Sequence, residues 1–205
     1  MADFNPPFQP GSIYHIYNRG NNKENIFYSE SNYYYFLNKY NQYLANWIDT
    51  YVYSLLPNHF HFLIRIKIEK ERKVNSLKAG TKILFNTSEI ISESFRRLFT
   101  AYAKAINIQE SRTGSLFQKK LKRIEVNTDS YFSKLVYYIH SNPQQHGFIQ
   151  DFKNYQFNSY AELISDKKTN LMRDELFKWF GSKEGFIKFH LEEQELRSIR
   201  KFIIE

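Results

Sequence analysis

From Pro57 to Lys67 the chain reads Pro-Asn-His-Phe-His-Phe-Leu-Ile-Arg-Ile-Lys, and this alternation leaves few folds open. Successive side chains on an extended strand point to opposite faces. Phe60, Phe62, Ile64 and Ile66 therefore share a face that needs a core over it, while His59 and His61 share the other. Pro57-Asn58 separates this strand from the one before it.

The neighbouring sequence supplies partners for such a sheet. Ser12 to Arg19 alternates and is rich in Tyr and Ile, predicting a strand, with a turn at Gly20-Asn21-Asn22. Ser29 to Ala45 carries Tyr33, Phe36, Leu37, Tyr40 and Leu44 at helical spacing, with Ser29 or Ser31 as N-cap. Ile48 to Leu56 predicts a second strand, Glu69 to Asn86 a loop, and Ser88 to Ile106 a long amphipathic helix along Ile91, Phe95, Leu98, Tyr102 and Ile106. Phe117 to Val126 predicts a strand. Asn127 or Thr128 then caps a helix that Asn142-Pro143 is expected to stop, since proline disfavours helical geometry in the residue before it. The expected fold is α+β: a mainly antiparallel sheet with helices packed on it, over residues 1–150. Residues 151–205 read as a C-terminal helical extension, with pieces at Ser159 to Ile164, at Arg173 to Phe180 and from Lys183 onward.

Composition narrows the function classes. The absence of cysteine excludes disulfides and thiolate chemistry. A net charge of +8 favours a polyanionic partner such as nucleic acid. Sixteen tyrosines and 19 phenylalanines can fill a core or stack on bases. No apolar run is long enough to span a bilayer, so no membrane association is expected. Met1 to Pro10 lacks the apolar core of a signal peptide, and a cytoplasmic location is expected.

Two groups of residues can carry chemistry. His59 and His61, side by side on one sheet face, can chelate a metal through neutral nitrogens, although a His-x-His also occurs on ordinary amphipathic strands. No third His or Cys lies at a usual zinc spacing, and His15 on the first strand reads as structural. Tyr138 and Asn142 are four apart on the last predicted helix and share a face. The asparagine carbonyl suits Mg²⁺ or Mn²⁺, and a tyrosine oxygen can attack a phosphodiester. Tyr131 and Tyr137 offer the same chemistry, though Tyr137 is rotated off the Asn142 face. Arg19, Arg96, Arg97, Lys119, Lys120, Lys122 and Arg123 are candidates to follow a DNA backbone.

Four blocks occur in order: Tyr14-His15-Ile16-Tyr17-Asn18-Arg19-Gly20, Pro57 to Ile64, Gly114-Ser115-Leu116-Phe117-Gln118-Lys119-Lys120, and Tyr138-Ile139-His140-Ser141-Asn142-Pro143. Together they resemble the HUH single-strand tyrosine transposases, in the branch called REP-associated tyrosine transposases, over roughly residues 12–150. The resemblance implies a ferredoxin-like HUH endonuclease fold. It implies that His59, His61 and Asn142 hold Mg²⁺ or Mn²⁺. It implies that Tyr138 forms a 5′-phosphotyrosine link with single-stranded or hairpin DNA. Gln144, Gln145, His146 and Asn158 depart from the family pattern. A non-catalytic DNA-binding regulator and a replication- or relaxase-type nickase are the alternatives, and a monomer is favoured over a dimer.

Overall fold

The computed structural model describes residues 5–72 and 86–192. Most of the predicted Glu69 to Asn86 loop, and the end of the charged stretch after Lys183, lie outside the described residues. Four strands form one sheet: β1 (Ile13–Arg19), β2 (Ile48–Leu56), β3 (His59–Ile66) and β4 (Lys122–Val126). Their order is β2-β3-β1-β4, and every pairing is antiparallel. Two helices, α1 (Glu30–Leu44) and α2 (Thr87–Gln109), complete a β-α-β-β-α-β unit in which β3 lies between β1 and β2. This is the ferredoxin-like arrangement. A third helix, α3 (Asp129–Gln145), and three short ones, α4 (Tyr160–Ile164), α5 (Arg173–Trp179) and α6 (Lys183–Leu191), follow. Among the described residues no helix is long and apolar enough to cross a membrane.

Caps set the helix starts. Asn86 Oδ1 accepts from the Glu89 amide at 2.9 Å while Glu89 Oε2 accepts from the Asn86 amide at 3.1 Å, so α2 begins one residue before the predicted start. Ser29 precedes α1, and Asn32 Oδ1 accepts from the Tyr28 and Ser29 amides. Thr128 Oγ1 accepts from the Tyr131 amide at the start of α3.

The two sheet faces have separate cores. Phe60, Phe62, Ile64 and Ile66 pack with Tyr14 and Ile16 under α1 and α2, where Tyr40 stacks on Phe62 with ring centroids 4.4 Å apart. The opposite face carries Leu63, Val52 and Val126, covered by Phe132, Leu135, Val136 and Ile139 of α3 and by Leu163, Leu176 and Phe186 of the short helices. Each such large side chain contributes about 1.5–3 kcal/mol on burial. β3 is therefore buried on both faces, and His59 and His61 lie beneath a helix, not at an open surface. The outer edge of β2 is also covered: Leu55 donates to the Phe157 carbonyl at 2.9 Å and Ser159 to the Tyr53 carbonyl at 3.0 Å.

Two local expectations are corrected. Asn142-Pro143 does not stop α3, which runs to Gln145 with Pro143 inside it. The last turn is closed further on, where Gly147 at φ +73° donates to the Gln144 carbonyl and Phe148 to the Pro143 carbonyl. This is a Schellman motif, and with Pro143 buried it outweighs the local preference. The predicted strand from Phe117 begins only at Lys122. Phe117 bridges to Gly20 and Lys122 pairs with Tyr17, so the segment between has more residues than the β1 stretch it faces and arches out.

Gly20 ends β1 and donates to the Asn58 carbonyl at 2.8 Å, just before the histidines. A Cβ there would lie 1.9 Å from the Glu24 carbonyl oxygen, a backbone atom that must move. Gly20→Ala is expected to cost about 1–3 kcal/mol, measured as a lower denaturation midpoint at unchanged slope.

Candidate active site

Strand parity and register place the candidate residues. Arg19 lies opposite His59, Tyr17 opposite His61 and His15 opposite Leu63, so all six face α3. Helix α3 lowers Tyr138 and Asn142 onto the histidines. His59 Nε2 lies 3.0 Å from Asn142 Oδ1. The Tyr138 ring meets His61 edge-on with centroids 5.6 Å apart, and meets His15 likewise at 6.5 Å. The four residues His59, His61, Tyr138 and Asn142 are thus brought together, and all are buried.

Hydrogen bonds fix the orientation of His59. Asn58 donates its amide N–H to the Lys23 carbonyl, so its Oδ1 is the acceptor for His59 Nδ1–H at 2.6 Å. In the neutral ring Nε2 then carries a lone pair, and it faces the carbonyl oxygen of Asn142. The Asn142 NH₂ is buried with no hydrogen-bond partner among the described residues. Two arrangements resolve two lone pairs 3.0 Å apart: the amide turns so that its NH₂ donates to Nε2, or a cation sits against both atoms. Adjacent ligands about 2.1 Å from an octahedral ion stand about 3.0 Å apart, so the pair fits such an ion. Among the described residues no three His, Cys, Asp or Glu side chains form a metal-holding group, and the donor set is two imidazoles and one amide.

The electrostatics keep these rings neutral. Burial, with smaller contributions from the neighbouring His146 and Arg19, pushes His59 down to about 4 against the hydrogen bond with Asn142. Burial and the neighbouring His15, His59, His146 and Arg19 hold His61 well below the usual histidine range. Burial alone pushes His15 down to about 3. A neutral imidazole keeps a lone pair that a cation can use.

The basic candidates separate. Arg19 is on the site face, half-buried, and its Nε has no hydrogen-bond partner among the described residues. Lys122, opposite Tyr17, shares that face, whereas Arg123, opposite Ile16, does not. Arg123 lies over the Phe8 ring at 4.3 Å and hydrogen-bonds the Pro6 carbonyl. Arg96 and Arg97 are exposed on α2, on the far side of the sheet, and both pair with Glu93. Arg96, Lys119, Lys120 and Arg123 line a groove of about 360 Å³ floored in part by Phe95 and Phe99.

Two further histidines stand beside the pair. His15, read as a lone structural residue, stands with its Nε2 2.9 Å from His61 Nδ1. His146, exposed at the end of α3, stands with its ring centroid 5.0 Å from that of His59. Its spacing of four from Asn142 was the available signal.

A sheet of this order with helices packed on both faces defines a fold class, and a solved structure shares that fold. A REP-associated tyrosine transposase bound to a REP hairpin superposes with a TM-score of 0.59 over 81% of this chain and 87% of that chain, at 12% sequence identity. The likeness establishes the fold. No protein-family model and no curated protein matches the chain.

Proposed function

We propose that this protein cleaves and rejoins single-stranded or hairpin DNA through a covalent 5′-phosphotyrosine link at Tyr138. The observation that carries the reading is the convergence of Tyr138 and Asn142, on α3, with His61 and His59 on the sheet below. The fold it shares with a transposase bound to a hairpin supports the choice of substrate.

His59 Nε2, the Asn142 carbonyl and a nitrogen of His61 would hold Mg²⁺ or Mn²⁺, and two imidazoles suit the softer Mn²⁺ somewhat better. Such an ion supplies positive charge that polarises the scissile phosphate and favours the phenolate of Tyr138. That help matters because only about a thousandth of a free phenol, with a pKa of about 10, is ionised at neutral pH. The Tyr138 oxygen attacks the phosphorus in line, forming an O–P bond as the bond to the 3′-oxygen breaks. The leaving oxygen takes a proton and becomes a 3′-OH. Attack by a 3′-OH on the phosphotyrosine restores the phosphodiester without ATP.

Arg19 is suited to contact a phosphate at this site. Arg19→Ala is expected to weaken DNA binding uniformly across sequences and to lower the slope of log K against log salt by about 1. Titration of a labelled hairpin at several salt concentrations measures this, and an unchanged slope removes Arg19 from the phosphate contacts. The central test is incubation with a labelled hairpin oligonucleotide and Mn²⁺, followed by denaturing electrophoresis for a covalent adduct. An adduct from the wild type that is lost in Tyr138→Phe is the expected result.

A further inference from the structure

We propose that His15 is a positioning residue for metal binding: by accepting the Nδ1–H of His61, it holds that ring in the tautomer whose Nε2 carries the lone pair. The proposal rests on the reading of His59, His61 and Asn142 as a cation site.

His15 is fully buried on β1, and its Nε2 is 2.9 Å from His61 Nδ1. Its other nitrogen, Nδ1, is buried with no hydrogen-bond partner among the described residues. A buried imidazole with one unmet nitrogen costs stability that an apolar side chain of similar size does not. Its ring contacts, with Tyr17 at 4.9 Å and with Tyr138 at 6.5 Å, need only an apolar or aromatic surface. What His15 supplies that such a residue cannot is a hydrogen-bond acceptor at His61 Nδ1.

That acceptor has a chemical consequence. An unconstrained neutral imidazole carries its proton mainly on Nε2, and a protonated Nε2 is closed to a cation. With the His15 proton on its own Nδ1, His15 Nε2 accepts from His61 Nδ1–H, so the proton of His61 stays on Nδ1 and its Nε2 is left to coordinate. Asn58 does the same for His59, whose Nδ1 bonds Asn58 Oδ1 at 2.6 Å. The two imidazoles are thus oriented by two different partners, one an amide and one a third histidine. Partners of this kind typically change metal affinity 10–100-fold when removed.

Two measurements on the full chain test this. Long-range ¹H–¹⁵N correlation spectra of histidine-labelled, metal-free protein report the His61 tautomer directly. The expected result is Nδ1–H in the wild type and in His15→Gln, which keeps a carbonyl acceptor, and a shift toward Nε2–H in His15→Leu. A wild-type His61 carrying its proton on Nε2 overturns the proposal without any variant. Calorimetric titration with Mn²⁺ is the second measurement. Kd is expected to rise 10–100-fold in His15→Leu and to return to within a few-fold of wild type in His15→Gln. Equal Mn²⁺ affinity in wild type and His15→Leu overturns the positioning role. A wild type with the Nδ1–H tautomer but no Mn²⁺ binding overturns the cation-site reading and leaves the control of the tautomer by His15 supported.

Discussion

Tyr138→Phe is expected to lower covalent capture of hairpin DNA by at least about 10³-fold, the scale of loss when a nucleophile is removed. The substitution deletes one oxygen from a buried ring and leaves its edge contact with His61 in place. Stability should therefore change by about 1 kcal/mol or less, and loss of the adduct reads as loss of chemistry. Tyr131→Phe and Tyr137→Phe serve as controls. Tyr137 is one position from Tyr138, about 100° around the helix, and packs with Phe152 and His190 instead. Tyr131 lies two turns before Tyr138, toward Tyr17, and burial raises its hydroxyl above the ordinary tyrosine range. Both controls should form the adduct at near wild-type yield. An adduct that persists in Tyr138→Phe and disappears in Tyr131→Phe would move the nucleophile two turns along the helix.

Acid should unfold this protein earlier than its basic composition suggests. His15 is pushed down to about 3, and His59 and His190 to about 4, chiefly by burial, while His61 and His140 are held well below the usual range. Above about pH 6.5 these rings are neutral in both the folded and the unfolded chain, and the stability they permit is fully present. Between about 6.5 and about 4 only the unfolded chain takes up the protons, so stability falls as pH falls through that window. For a ring held at about 4, such as His59 or His190, this loss is roughly 3 kcal/mol. Several rings together are comparable with the ordinary 5–15 kcal/mol stability of a domain. The expected result is cooperative loss of far-UV circular dichroism between about pH 4 and 6 in the presence of EDTA. A native spectrum retained at pH 4 would show that these histidines are not buried as described.

Much of the architecture was legible in the sequence, and the exceptions have physical causes. Period-two and helical spacing identified the histidine strand and the apolar stripes of α1 and α2, because those patterns report which side chains share a face. They do not report which strand lies beside which. The pairing of β1 with β3, which carries His15 to His61 across 46 positions, is a long-range outcome, so His15 read as a lone residue. The same gap affected Arg96 and Arg97: the helical stripe showed that they point away from the core, but not that α2 covers the face opposite the histidines. At Pro143 a sound local rule lost to the closing turn at Gly147 and to burial. The arch before Lys122 reflects unequal segment lengths that appear only once β1 is the partner.

The hydrogen-bonded string that joins α6, α3 and β2 has one direction only. His190 Nδ1–H donates to the Phe186 carbonyl at 2.8 Å, which makes its Nε2 the acceptor for His140 Nδ1–H at 2.9 Å. His140 Nε2 then accepts from the Ser159 hydroxyl at 2.9 Å, in preference to the Tyr53 carbonyl 3.2 Å from that hydroxyl, and Ser159 Oγ accepts from the Tyr53 amide at 2.8 Å. A single main-chain oxygen in the last described helix thus dictates every proton position along a line that passes two residues from Tyr138. The angle at which the tyrosine helix lies on the sheet is braced from residue 190, so α6 works as a strut for the helix that carries Tyr138.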